Sequence, residues 1–416
     1  MDKLSPKKKF KYKPLSIKDI IREMKQNIDL MIDLAYSAIK FGSKELADEV
    51  YKIEQRIHEL TFLLNFQIIQ TQPGGAKQAK KLEPIVVMGY SVDKISDALS
   101  DIARVIYINT DIPFFTSLFW DFVPEPIVKI TVNKKSKFIG KIRKEIHFRS
   151  QHSVNVIAIK RKGKWLFDKK EKVLLGDILI IKGEIQPIMA VRKKCYDEDP
   201  ISFQIDEKKS KMDIDLNDPE ILDKITEIKK CYVLLTDISE TMIELSLAAL
   251  FLNNHELAED ILEMEELMDG LNIAFEKDVL DLANLVESPR ELTGIMRIGF
   301  CCELISDAAA NIAENLLKGF KPHKILQRAI EETEEIVVRE IISPDSFFKN
   351  KSYDELQESR YKRGFHIIAL KREDKWIYSF KPDFILKEGD LLIGLGPKET
   401  VLQWRKCVHP EQFKDN

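Results

Sequence analysis

The sequence predicts two small antiparallel helical bundles alternating with two compact α+β lobes. Three observations carry that expectation: internal duplication, a repeated change of hydrophobic period, and paired Gly-Asp turns. The duplication runs at nearly one offset. MIDLAYSAIKFGSKELADEVYKIEQRI (31–57) aligns with MIELSLAALFLNNHELAEDILEMEELM (242–268) at 211, and MGYSVDKISDALSDIAR (88–104) with IGFCCELISDAAANIAE (298–314) at 210. AIKRKGKW (158–165) aligns with ALKREDKW (369–376) at 211, and GDILIIKG (176–183) with GDLLIGLG (389–396) at 213. Matches in the same order at almost the same offset define a tandem pair and not a solenoid.

Within each copy the apolar period shortens midway. From Ser16 to Tyr107 it is helical, in three stripes: Ile28, Met31, Ile32, Ala35 and Ile39; Leu46, Val50, Ile53, Ile57 and Leu60; Val92, Ile95, Leu99, Ile102 and Ile106. Gly42-Ser43 and Pro73-Gly74-Gly75 separate the runs, which predicts a three-helix antiparallel bundle. Beyond Pro124 and Pro126, short Val- and Ile-rich runs (IVKITV, VNVIAIKR, KWLF, DILIIKG) predict strands. Gly176-Asp177 and Gly389-Asp390 each precede an apolar run, where a flexible turn feeds a buried strand. The second copy repeats helices from Asp218 to Leu317 and strands in FHIIALKR, KWIYSF and DLLIGLG. The expected domains are a basic tail (1–14), a helical domain (15–123), an α+β lobe (124–200), a second helical domain (212–322) and a second lobe (329–411). Trp165 and Trp376, at matching hairpin positions, are expected in the core.

Composition excludes several classes. The formal charge is −3 over 416 residues, too near neutral for a generic polyanion binder, but it averages two unlike halves. Residues 1–210 hold 39 basic and 27 acidic side chains; residues 211–416 hold 26 and 41. Five scattered cysteines without C-x-x-C spacing argue against a disulfide framework or zinc knuckle and fit a reducing cytosol. No apolar run approaches the roughly 20 residues of a membrane helix, and the basic start lacks the apolar core of a signal peptide. No G-x-S-x-G, H-E-x-x-H or P-loop is present, so an enzyme is not expected. Cys301-Cys302 has no nearby His in sequence and reads as structural. The Lys160–Lys172 run, interrupted by Trp165 and Phe167, reads as a protected strand edge and not as a nucleic-acid site.

The lobe segments resemble the TrkA-C (RCK C-terminal) domain of potassium-conductance regulators. The resemblance is carried by SKFIGKIRKEIHFRSQHSVNVIAIKR and the late LLGDILIIKG, and spans most of 127–194 and 336–407. The helical segments are similar to the PhoU domain of phosphate-uptake regulators, through ADEVYKIEQRI, AEDILEMEELM and ELISDAAANIAENL. No Rossmann G-x-G-x-x-G follows a strand, since Gly394-Leu395-Gly396 runs into Pro397, so no NAD or ATP site of that kind is expected.

The TrkA-C resemblance implies a small anionic ligand, cyclic di-AMP in several members, held between two lobes by an Arg and a polar residue six positions later. Arg149 with Asn155, and Arg360 with His366, match that spacing; an Arg fork suits phosphate. The same residues also fit salt bridges and strand ends. Asp93, Asp97 and Asp101 lie four apart on one helix, with Glu303 and Asp307 at the equivalent places. Like charges so spaced repel, which calls for a cation or for solvent. The PhoU resemblance supplies the cation, a divalent metal on Asp93, Asp97, Glu303 and Asp307. Ala98 and Ala308 stand where that family has a His, which points away from a transition-metal cluster. The aromatic segment 112–124 reads as a domain seam or a transporter-docking patch. Together these imply a cytosolic, non-enzymatic regulator of a membrane cation transporter, potassium or another, peripheral to the membrane through that partner. The rival is a phosphate-uptake and signalling regulator with metal-loaded bundles. The opposite charge of the halves predicts an intramolecular, salt-weakened pseudo-dimer of the lobes, with a homodimer as the alternative arrangement.

Overall fold

A computed structural model describes residues 15–70, 75–108, 126–197, 217–319, 325–326, 335–358, 365–378, 380–381 and 383–413. The aromatic segment 112–124 and Arg360 lie outside these residues. Helices α1 (Ile17–Phe41), α2 (Lys44–Gln70) and α3 (Ala76–Ile108) form the first bundle. Strand β1 (Ile127–Thr131), helix α4 (Phe148–His152), strands β2 (Asn155–Arg161), β3 (Lys164–Leu166) and β4 (Ile178–Lys182), and helix α5 (Ile185–Cys195) form the first lobe. The second copy repeats the order with α6 (Pro219–Leu252), α7 (His255–Ala283) and α8 (Thr293–Leu317). It continues through β5 (Glu335–Ile341), α9 (Tyr353–Glu358), β6 (His366–Arg372), β7 (Lys375–Ile377), β8 (Leu391–Pro397) and α10 (Lys398–Val408).

The first helical turn-around is the same device twice. Gly42 ends α1 in the left-handed region at φ 55°, and its equivalent Asn253 ends α6 at φ 52°. The next residue then caps the following helix: Ser43 Oγ accepts from Leu46 N at 3.4 Å, and Asn254 Oδ1 from Leu257 N at 3.1 Å. A second repeated device lets α3 and α8 lie close to their neighbours. Gly89 and Gly299, 210 residues apart, face Leu64 and Phe275, 211 apart.

Both sheets are antiparallel, ordered β1-β4-β2-β3 and β5-β8-β6-β7, with a register shift at the equivalent places Val156/Ala158 and Ile367/Ala369. One face of the first sheet packs Val128, Ile130, Leu179 and Ile181 against Ile188 and Val191 of α5. Ile157, Ala158 and Ile180 belong instead to the large core of the helical body. Trp165 and Trp376, expected in the core, are half-buried against that body, because their short strands β3 and β7 lie at the sheet edge.

Each Gly-Asp turn closes on a buried ion pair. Gly176 at φ 80° and Gly389 at φ 82° let the chain reverse. Asp177, fully buried, takes Arg161 Nε at 2.8 Å and Nη2 at 2.9 Å while accepting from Leu174 N at 2.7 Å. Asp390 repeats this with Arg372 at 2.7 and 2.6 Å and Lys387 N at 2.7 Å. A buried carboxylate so saturated is costly to disturb from one side only.

The halves join along α3 and α8, which run antiparallel. Asp101 pairs with Arg297 at one end, Asn311 Nδ2 donates to Ser91 Oγ at 3.2 Å, and Asn315 Nδ2 donates to Glu83 Oε1 at 2.7 Å at the other. The duplicated positions Ile95 and Ile305 are both fully buried. The halves therefore pair through these helices as well as through the lobes, where the pairing was expected. A Cβ at Gly299 would sit 2.6 and 2.8 Å from ring atoms of Phe275, while one at Gly89 meets the more yielding Leu64 Cδ2 at 2.8 Å. Gly299→Ala should lower unfolding free energy by about 1–3 kcal/mol, and Gly89→Ala by less, in denaturant titrations.

Candidate functional site

Two places gather the residues singled out above. The first is the corner where both lobes approach the helices. Asn155 and His366 open the equivalent strands β2 and β6. Asn155 pairs with Lys182 across the sheet and donates from Nδ2 to Asp33 Oδ2 on α1 at 2.7 Å. Lys182 lies 3.9 Å from Asp33 and pairs with Glu240 on α6, so this corner ties the first lobe to both bundles. Just beyond Lys182, Glu184 accepts from Tyr353 Oη at 3.0 Å and lies 3.9 Å from His366 Nδ1. Glu184 and Tyr353, which sequence reasoning did not single out, thus join lobe to lobe. Arg149 lies on the short helix α4, six residues before Asn155.

The second place is the outer face of each bundle. His58 Nε2 lies 2.9 Å from Asp97 Oδ1 and 3.7 Å from Asp93 Oδ1, and Glu54 stands one turn away on α2. The ligand atoms of Glu54, His58 and Asp97 all fall within 4.8 Å of one another, and so do those of Glu265, Asp269 and Asp307. These triplets are duplicates: 54 and 265, 58 and 269, 97 and 307 are equivalent positions. Asp93 and Glu303 flank them. The sequence reading found the carboxylates along α3 and α8 but missed the α2 and α7 partners. The signal was present in the alignment of Glu54 with Glu265, both on the face that meets the acidic stripe.

In the first bundle His58 and, at 3.9 Å, Lys94 lie beside Asp97; the second triplet makes no ion pair among the described residues. Burial, then repulsion by Asp269, Asp307 and neighbouring acids, pushes the Glu303 and Glu265 carboxyls up, and burial with Asp269 does the same to Asp307. In the first bundle, burial raises Glu54 and Asp93. Asn272, only 5% exposed, donates to Glu303, and its Oδ1 accepts no hydrogen bond among the described residues. A buried amide oxygen without a donor beside clustered carboxylates fits a hard cation, and the donor chemistry differs between bundles. The second is all oxygen, while the first adds an imidazole. Cys301 and Cys302 are elsewhere in the core; burial pushes their thiols up to about 12 and about 11, so they stay protonated.

Paired lobes thus join at one corner to helices that carry acidic faces. Family models match both kinds of domain. The PhoU domain matches residues 21–106 and 233–316, and the TrkA-C domain residues 127–196. The chain is a PhoU- and TrkA-C-domain protein. Its second lobe, outside the matched residues, has the strand order of the first. Among solved structures the chain is similar to the GsuK RCK domain, at 14% identity over 70% of this chain and 64% of that one, with a TM-score of 0.16. It is also similar to the GsuK channel bound to NAD, at 15% identity over 69% and 53%, with a TM-score of 0.17. The chain spans less than two thirds of the length of either structure. No curated protein matches it. Among the described residues no helix is long and apolar enough to cross a membrane.

The raised carboxyls have a pH consequence. Each holds its proton more tightly folded than unfolded, so the metal-free fold loses stability as pH rises from the ordinary carboxylate range through the raised values. In chelator, Asp269→Asn should flatten that slope and stabilise the protein at pH 7 by about 0.5 kcal/mol, as read by thermal unfolding at a series of pH values.

Proposed function

We propose that this protein is a non-enzymatic regulator of an ion transporter, potassium or another cation, and that it senses a small anionic ligand such as cyclic di-AMP between its lobes. One observation carries the reading: the corner where Asn155 and His366 open their strands is also where the lobes meet and where Lys182 reaches both bundles. A ligand seated there would bear on four domains at once. It would favour one relative placement of lobes and bundles, and the bundles would pass that shift to a membrane partner. Arg149 and Arg360 are assigned to the ligand's phosphates, Asn155 and His366 to its polar edge. The protein would work at the cytosolic face of the membrane, held there by its partner. Titration calorimetry of the full chain with cyclic di-AMP and related nucleotides should give saturable binding, weakened at least tenfold by Arg149→Ala and by His366→Ala. Silence from every nucleotide would end this reading.

The duplicated acidic faces support a second reading, a phosphate-uptake and signalling regulator whose bundles hold divalent metal. Glu54, His58, Asp93 and Asp97 would hold it in one bundle, and Glu265, Asp269, Glu303 and Asp307 in the other. The metal would neutralise each face and so decide what partner that face accepts. Tight Mg²⁺ or Mn²⁺ binding, abolished by Asp97→Ala with Asp307→Ala while nucleotides give no heat, would favour this alternative over the first.

A further inference from the structure

The first lobe is the most basic part of the molecule. Residues 127–196 hold 19 basic and 5 acidic side chains, a surplus of 14, whereas 336–407 hold 14 and 11, a surplus of 3. The placement of this charge is as telling as its amount. One end of the first sheet, where Ile127 and Asn155 pair with Lys182, meets the helices and the second lobe. The other end, where Thr131 and Lys160 pair with Ile178, lies about 13 Å away along five-residue strands.

At that far end two turns are laced together. Gly140 N donates to Val173 O at 2.8 Å, Val173 N to Lys141 O at 2.9 Å, and Gly176 N to Val132 O at 2.9 Å. The lacing gathers Ile139, Leu174 and Leu175 into one tip, where they are 37%, 41% and 54% exposed. Lys134, Lys135, Lys137, Lys141 and Lys172 flank the tip, all exposed, and among the described residues none of them makes an ion pair.

Duplication provides an internal comparison. In the second lobe Lys349 and Glu388 replace Ile139 and Leu175, and they bond to each other at 2.6 Å. Pro344 and Asp345 stand in place of Lys134 and Lys135. The second tip thus carries an ion pair with Phe347 and Ile385 exposed beside it, where the first groups Ile139, Leu174 and Leu175 within a ring of lysines. Apolar side chains that enter the boundary of headgroups and acyl chains, with lysines at the level of the phosphates, are the chemistry of an anionic membrane surface. A nucleic-acid surface would instead offer aromatic stacking or arginine forks, and this tip has neither.

We propose that the first lobe docks through the Ile139–Leu174–Leu175 tip and its lysine ring onto an anionic lipid bilayer. Docking at this end leaves the opposite end, with Asn155, Glu184 and the second lobe, facing away from the lipid. The inference stands whether or not a nucleotide or metal binds elsewhere.

The test is co-sedimentation of the full chain with phosphatidylcholine vesicles, with and without phosphatidylserine. Binding is expected only to the anionic vesicles and should weaken as salt rises. Lys134→Glu, Lys135→Glu and Lys137→Glu together should lower vesicle affinity about a hundredfold, and Leu174→Ser with Leu175→Ser at least tenfold, with unchanged circular dichroism. Lys349→Ala with Glu388→Ala, at the equivalent tip, should bind as wild type. Equal binding to neutral vesicles, no binding at all, or wild-type binding by the tip variants would overturn the proposal. So would loss of binding only on removal of the basic residues 1–14, or retention of a DNA duplex by a protein that ignores vesicles.

Discussion

The antiparallel packing of α3 on α8 is the contact on which the rest of the arrangement depends. Each of these helices is the third of its bundle and carries two jobs on opposite faces. The inner face buries Ile95, Ile102, Ile305 and Ile312; the outer presents Asp97 or Asp307 to the groove with α2 or α7. Because the helices are duplicates related by an approximate two-fold, burying one pair of faces turns the two acidic grooves outward on both sides of the molecule. The same operation sets the ends of the bundles, and hence places the lobes so that Glu184 of one reaches Tyr353 and His366 of the other.

Much of this was legible in the sequence, for reasons visible in particular residues. Helix ends were marked by residues that tolerate the left-handed region, Gly42 and Asn253, followed by side chains able to cap, Ser43 and Asn254. The Gly-Asp turns were marked because their chemistry is strict: a glycine at positive φ and an acid that closes on the arginine ending the preceding long strand. What stayed hidden depends on register between helices. Asp97 and Asp101 look alike along α3, yet Asp97 turns to His58 on α2 while Asp101 crosses to Arg297 on α8. Spacing along one helix gives a face; it does not say which neighbour the face meets. His58 and Asp269 escaped notice for a related reason, since equivalent positions with different side chains leave no identity to align.

The ligand pair shows the same limit. Spacing placed Arg149 six residues before Asn155 and Arg360 six before His366, but it did not foresee that Asn155 would bond to a helical aspartate. Asp33, Glu184 and Glu240 give the corner acidic members beside Lys182. Under the proposed function, an anion entering there would have to exchange these contacts for its own. Such an exchange would couple the domains, because Asp33 and Glu240 belong to helices of different bundles, and only differential contacts can shift a conformational equilibrium.

Duplication followed by divergence explains why a chain so near neutrality contains such strong local charge. Had both halves kept one composition, both lobes and both grooves would carry like charge. Instead the basic surplus is concentrated in the first lobe, far from the corner it shares with the second. The densest uncompensated acid sits on the outer face of the second bundle, where Glu265, Asp269, Glu303 and Asp307 have no histidine among them. The near-zero total therefore averages two oppositely charged surfaces at different places in the molecule.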